Sequence, residues 1–250
     1  MAIFKSFIFD NIKSLDHGIY ITGEAVYNAP KRVVEMISVP GRNGDIAIDQ
    51  GRFENIDVKF PAGAYSALHS QEDFAQKIME IRNLLASRYT YKRLVDEYHP
   101  DEYRMGVYKS GLEVDPVAYS SAGEFDIIFD CEPQRWLLSG EEVQTFTSSG
   151  TIENPTLFEA KPLLVVTGAG QLVIGSYVIE ISDGSGANQV IYIDCESQEA
   201  WEMVGGAMIA RNDYIQIAGR EFPKLTAGEN VITLGSGITN LDITPRWWRI

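Results

Sequence analysis

Three stretches of this chain bring chemistry-bearing residue types close together, and each invites an active-site reading. His99-Pro100-Asp101-Glu102 gathers an imidazole and two carboxylates, but consecutive residues in a turn rarely converge on one ion and nothing nearby completes a ligand set. It reads as a solvated loop. Thr167-Gly168-Ala169-Gly170-Gln171 offers a G-x-G, yet strand-like Leu172-Val173-Ile174 follows where a dinucleotide site needs a helix N-terminus. Asp183-Gly184-Ser185-Gly186-Ala187-Asn188 does not set its oxygens at the offsets of a calcium loop, and reads as an exposed turn. The three histidines, His17, His69 and His99, all precede residue 100, and no G-x-S-x-G elbow supplies a nucleophile. Acidic residues number 35, so some carboxylate pairs fall close by abundance alone and a glycosidase pair carries no signal. The expectation is a protein that is not an enzyme, with no cofactor and no metal.

The charge balance narrows the partners. A formal net charge of -14 opposes wrapping around phosphates, and the basic residues are scattered apart from short pairs such as Lys31-Arg32 and Lys92-Arg93. Sequence-specific nucleic-acid binding is not expected. No stretch reaches the roughly 20 apolar residues of a membrane span, and charge breaks the opening Met1-Ala2-Ile3-Phe4-Lys5-Ser6-Phe7-Ile8-Phe9-Asp10 before a secretory core can form. No membrane insertion is expected, and the chain reads as made in the cytosol. Cys131 and Cys195 are far apart, lie in apolar strand-like contexts and belong to no CxxC spacing, so they read as buried free thiols.

The elements that would position any site are mostly strands. Ile56, Val58 and Phe60 alternate with Asn55, Asp57 and Lys59, the pattern of a strand buried on one face. Phe7 to Asp10, Ile19 to Thr22, Val33 to Val39 and Glu124 to Phe129 read likewise. Pro40-Gly41-Arg42-Asn43-Gly44-Asp45 is a tight turn, its Asn-Gly suited to positive φ. One helix stands out: Ser70 can cap it, Glu72 and Asp73 favour its first turn, and Phe74, Ile78, Ile81 and Leu85 follow at helical spacing. From Thr151 onward the chain reads as short strands alone: Pro162 to Val166, Gln171 to Ile174, Tyr177 to Ile181, Val190 to Asp194, Tyr214 to Ala218, Asn230 to Leu234 and Asn240 to Thr244. That spacing fits a sandwich or jelly roll. Trp201, in a polar stretch, is the best candidate for stacking on a sugar; burial in a core or interface is the other reading of it.

Tryptophan marks the domain organisation. The terminal Pro245-Arg246-Trp247-Trp248-Arg249-Ile250 needs something to pack against, because termini ordinarily fray and two exposed indoles would be a liability. Pro133-Gln134-Arg135-Trp136-Leu137-Leu138 has a similar composition, which sets a boundary near Glu132 to Gly140 and two domains, 1–135 and 136–250. Arg135, Trp136, Trp247 and Trp248 are the candidates for packing at the junction.

Taken in order, several segments resemble the distal tail proteins (Dit) of long-tailed phages and prophages of Gram-positive bacteria. They are Phe7-Ile8-Phe9-Asp10 with Gly18-Ile19, Ser38 to Asp45, Glu132-Pro133-Gln134-Arg135-Trp136 with Gly140-Glu141, Asn154-Pro155, Ala160-Lys161-Pro162-Leu163 and Thr167 to Gly170. Ile193-Asp194, Phe222-Pro223-Lys224-Leu225, Gly228-Glu229-Asn230 and Pro245-Arg246-Trp247-Trp248 complete the series. Each is weak alone; their joint order runs through the whole chain. The resemblance implies a mainly β protein: an N-terminal β-rich domain of split-barrel, tail-tube-like kind with one α-helix, and a C-terminal galectin-like β-sandwich of the short form without insertions. It further implies a structural hub at the virion tail tip, assembled in the host cytoplasm. There the N-terminal domain builds a homo-hexameric ring joining the tail tube protein to the tail-associated lysin or tail-fibre protein, with a channel for DNA. The acidity would then suit a lumen that does not hold phosphates. Arg42, with Asn43 at the projecting turn, is the candidate subunit contact. The alternative is a carbohydrate- or receptor-binding adhesin working through the C-terminal sandwich.

Overall fold

The computed structural model describes residues 5–24, 28–65, 71–117, 122–184, 186 and 189–250. The chain is mainly β with one α-helix, and it divides into two compact units, Met1–Arg135 with Ile250, and Trp136–Arg249.

The first unit contains β1 (Phe7–Phe9), β2 (Ile12–Lys13), β3 (Ile19–Ile21), β4 (Arg32–Ile37), β5 (Ile46–Phe53) and β6 (Ile56–Tyr65). The helix α1 (Gln71–Ala86) follows, then β7 (Lys92–Asp96), β8 (Glu102–Tyr108), β9 (Asp115–Val117) and β10 (Ala122–Cys131). Its main sheet runs β2-β1-β7-β8-β10-β6-β3, with β9 beside β10. The alternation read at Ile56 to Phe60 belongs to the longer β6, which pairs with β10 over its whole length. Phe125 lies opposite Ala62, Ile127 opposite Phe60 and Cys131 opposite Ile56, so both strands send apolar groups to one face. The helical stripe Phe74, Ile78, Ile81 and Leu85 is buried in the same core, where Phe7 stacks on Phe60 at 5.3 Å and Phe9 meets Phe129 at 4.7 Å. The cap read at Ser70, and His69 before it, lie outside the described residues. No described helix is long and apolar enough to cross a membrane.

Asp10, read as the end of a strand, instead takes a left-handed backbone (φ 52°) in the turn to β2. There its carboxylate accepts from Arg88 Nε at 3.0 Å, tying the turn to the segment that follows the helix.

The second unit begins within β11 (Arg135–Leu137). It continues with β12 (Gln144–Phe146), β13 (Gly150–Asn154), β14 (Leu163–Gly168), β15 (Gly170–Ile174), β16 (Tyr177–Ile181) and β17 (Val190–Asp194). Then come β18 (Glu199–Val204), β19 (Ala207–Ala210), β20 (Ile215–Ile217), β21 (Gly228–Leu234), β22 (Ile238–Thr244) and β23 (Trp248–Arg249). Two antiparallel sheets, β12-β22-β14-β17-β18-β19 and β13-β21-β15-β16-β20, share one core. Leu164, Ile191, Ile193, Leu241 and Ile243 face it from the first sheet, and Ile152, Leu172, Ile174, Ile179 and Ile232 from the second.

Candidate functional site

The G-x-G stretch is a structural corner. The chain leaves β14 in one sheet and enters β15 in the other through Gly168 (φ 102°) and Gly170 (φ 133°), and a Cβ on Gly168 would lie 2.1 Å from the Gly237 carbonyl oxygen. The glycines let two backbones cross, and they lead into a strand where a dinucleotide site needs a helix N-terminus. In the Asp183 turn, Asp183 Oδ1 accepts from Gly186 N–H at 3.1 Å, while residues 185, 187 and 188 lie outside the described part. Among the described residues, no group of three or more His, Cys, Asp or Glu could hold a metal.

The His99 stretch is the loop expected through the exposed Pro100 and Asp101, but Glu102 departs from it. His99 and Tyr98 donate their backbone N–H groups to Asp96 Oδ1 at 3.0 and 2.9 Å, closing a turn, and Glu102 then enters β8 with only 4% of its surface exposed. Arg135 Nη1 donates to Glu102 Oε1 at 2.7 Å. Glu102 and Arg104, two residues apart on β8, therefore point inward together, with Arg135 between them and solvent.

The two tryptophan-bearing segments, alike in sequence, are hydrogen-bonded to one another. Leu137 N–H donates to Trp247 O at 2.9 Å and Arg246 N–H to Gly140 O at 2.8 Å, an approach so close that a Cβ on Gly140 would fall 2.3 Å from Trp247 N. Arg246 adopts φ 61° and clamps Asp194 with two bonds, Nη1 to Oδ1 at 2.7 Å and Nη2 to Oδ2 at 2.9 Å. Burial alone would raise the Asp194 carboxyl; the Arg246 guanidinium and the backbone N–H groups of Glu196 and Ser197 outweigh it and hold the group below the usual carboxylate range. Trp247 is 2% exposed, inside the core of the second unit. Trp248 stacks on Phe158 at 4.4 Å and donates Nε1–H to Glu159 O at 2.9 Å. Trp136 is half-buried.

Arg42 and Asn43 sit at the exposed tip of the β4–β5 hairpin, where Gly41 (φ 81°) and Gly44 (φ 78°) supply the left-handed geometry of the turn. Among the described residues this hairpin pairs only with itself. Register sets Val34, Met36 and Ala47 on one face and Ile37, Ile46 and Ile48 on the other. Both faces are open: Met36 is 59% and Ile48 42% exposed, and none of these side chains joins a core of its own chain. Sequence reasoning found the turn and took the strand before it for an ordinary core strand. Its signal was the adjacent pairs Val33-Val34 and Met36-Ile37, which put apolar residues on both faces of one strand.

On the outer face of the second unit's larger sheet, Tyr192 and Trp201, cross-strand partners on β17 and β18, stack at 5.6 Å with planes 9° apart. Trp201 is half-buried. At the tip of the same sheet, Met203, Val204 and Met208 are exposed on the β18–β19 hairpin.

No family model matches the chain, and no curated protein sequence matches it. Solved structures do. The chain superimposes on the SPP1 Dit protein (gp 19.1), described as a paradigm of the hub adsorption apparatus in phages infecting Gram-positive bacteria. The TM-score is 0.74 over 98% of this chain and 99% of that one, at 12% identity. Two structures of the phage P2 baseplate in its activated conformation, with Ca and with Sr, match at TM-scores of 0.49 and 0.47, each with 9% identity. They cover 97% and 100% of this chain, and 98% and 99% of theirs. The chain thus has a Dit-like fold, shared with the SPP1 Dit protein from end to end.

Proposed function

We propose that this protein is the hub of a phage or prophage tail tip, a distal tail protein whose copies close into a homo-hexameric ring. In this reading the ring joins the tail tube to the tail-associated lysin or fibre and leaves a channel for DNA. The unit Met1–Arg135 is the split-barrel, ring-forming domain, and Trp136–Arg249 is the galectin-like domain. The observation that carries the ring is the β4–β5 hairpin. A lone two-stranded hairpin is marginal in water, and one with apolar side chains on both faces gains its stability from cover by another chain. A second copy is the occupant that a closed ring supplies, with Arg42 and Asn43 in the subunit contact. The net charge of -14 fits a bore that does not retain phosphates. The test is the double variant Met36→Asp, Ile48→Asp. Native mass spectrometry of the full chain should lose the hexamer while thermal unfolding of the separate chain stays within a few degrees of wild type; hexamers in the variant would count against the reading.

A second reading, glycan binding by the second unit, is favoured by the Tyr192–Trp201 stack, a flat aromatic surface of the kind sugars pack on. Trp201→Ala should abolish retention on cell-wall glycans if it holds, and no retention by wild type would dismiss it.

A further inference from the structure

Arg104 is 8% exposed on the inward side of β8. Its Nη1 donates to Pro133 O at 3.3 Å; its Nη2, and Nε of the neighbouring Arg135, are buried without an acceptor among the described residues. Arg104 and Arg135 both line a single cavity of about 30 Å³. Burial and then the positive charge of Arg135 push Arg104 below the ordinary arginine range. The carboxylates bordering the cavity are engaged elsewhere: Glu102 accepts from Arg135 Nη1, Asp96 from its own turn, and Glu24 is exposed at the rim. Buried donors of this strength are costly unless met.

We propose that this cavity is a binding site for one carboxylate group, held by Arg104 Nη2 and Arg135 Nε. The charge selects the ligand: unmet donors on two cationic groups call for an anion, and the narrow space of about 30 Å³ beside them suits a small one. Guanidinium donors are shaped for the planar oxygen pair of a carboxylate. The carboxylate comes either from a small free acid or from an Asp or Glu side chain of a neighbouring chain, and the experiment separates the two.

Formate is titrated into the full chain at constant ionic strength, with chloride as the balancing ion, at a concentration where native mass spectrometry finds monomer. Wild type should gain a saturable rise in Tm of about 3 °C at ten times Kd. Arg104→Met should gain none, while starting at a Tm equal to or above that of wild type, because the variant removes an unpaired buried charge. The Arg135 Nε–Hε resonance of the wild type, which needs no variant, should move with formate along the same saturation curve. In a parallel arm the oligomer is weighed. Unchanged assembly in Arg104→Met assigns the site to a free acid, whereas assembly weakened tenfold or more, and weakened in wild type by saturating formate, assigns it to a neighbour's side chain. No formate response in Tm or resonance, with assembly unchanged, means that two waters suffice there and overturns the proposal.

Discussion

Arg246 and Asp194 form the pair on which the end of the chain depends, and their chemistry sets a pH dependence. The Asp194 carboxyl is held below its unfolded value of about 3.9, so the native state favours the ionised form. That stability is complete above the unfolded pKa and is lost as pH falls through the folded one. Arg246→Ala should cost about 1–3 kcal/mol at pH 7, since it removes two charge-assisted bonds from a largely buried carboxylate. Denaturant unfolding at a series of pH values should show the gap between wild type and Asp194→Asn narrowing below about pH 4; a gap constant down to pH 2 would contradict this account. The two cysteines make a kinetic prediction. Burial pushes both the Cys131 and Cys195 thiols up to about 12, so neither supplies thiolate at neutral pH. Their modification by a thiol reagent should proceed at the rate of opening and should accelerate at least a hundredfold in denaturant, followed by mass spectrometry.

At the scale of elements, closeness of backbones decides what is tolerated. Gly168→Ala forces a Cβ into the Gly237 carbonyl at a positive φ, and should cost about 3 kcal/mol or more, or prevent folding of the second unit, in calorimetry. Ile81→Ala, at the most buried position of α1, should cost about 2–5 kcal/mol by the cavity it leaves. The same scale shows what can be read from a sequence. The helix was legible because Phe74, Ile78, Ile81 and Leu85 repeat at its own period, and β16 and β17 because each is a short run rich in β-branched and aromatic residues between turns. Strand β8 was not. Its alternation puts Tyr103, Met105 and Val107 on the apolar face, yet Glu102, Arg104 and Gly106 are the buried ones, because the inward polar groups find Arg135 and the Pro133 carbonyl, partners about thirty positions away. The β18–β19 hairpin was likewise hidden, since its apolar residues face outward and mark no core. The candidate ring contact was half legible: the glycines announced the turn at Arg42, but an unaccompanied hairpin looks like any other until the sheet order leaves it out.

For the whole molecule the proposed ring faces an electrostatic cost, because each copy carries a net charge of -14. Like charge opposes closure, and salt screens it over about 10 Å at 0.1 M. Association should therefore strengthen as sodium chloride rises from about 20 to about 300 mM and the Debye length falls from about 21 to about 6 Å, the opposite of an assembly held by ion pairs. Sedimentation velocity across that range would show it. The terminal tryptophans belong at this scale too. An end that looked like an anomaly is the last piece of the second unit's core. The most direct measurement is native mass spectrometry of the full chain, alone and mixed with the tail tube protein that the reading makes its partner. The account predicts a six-copy species that is lost in the Met36→Asp, Ile48→Asp variant. Monomer at every concentration, with and without the tube protein, would contradict it.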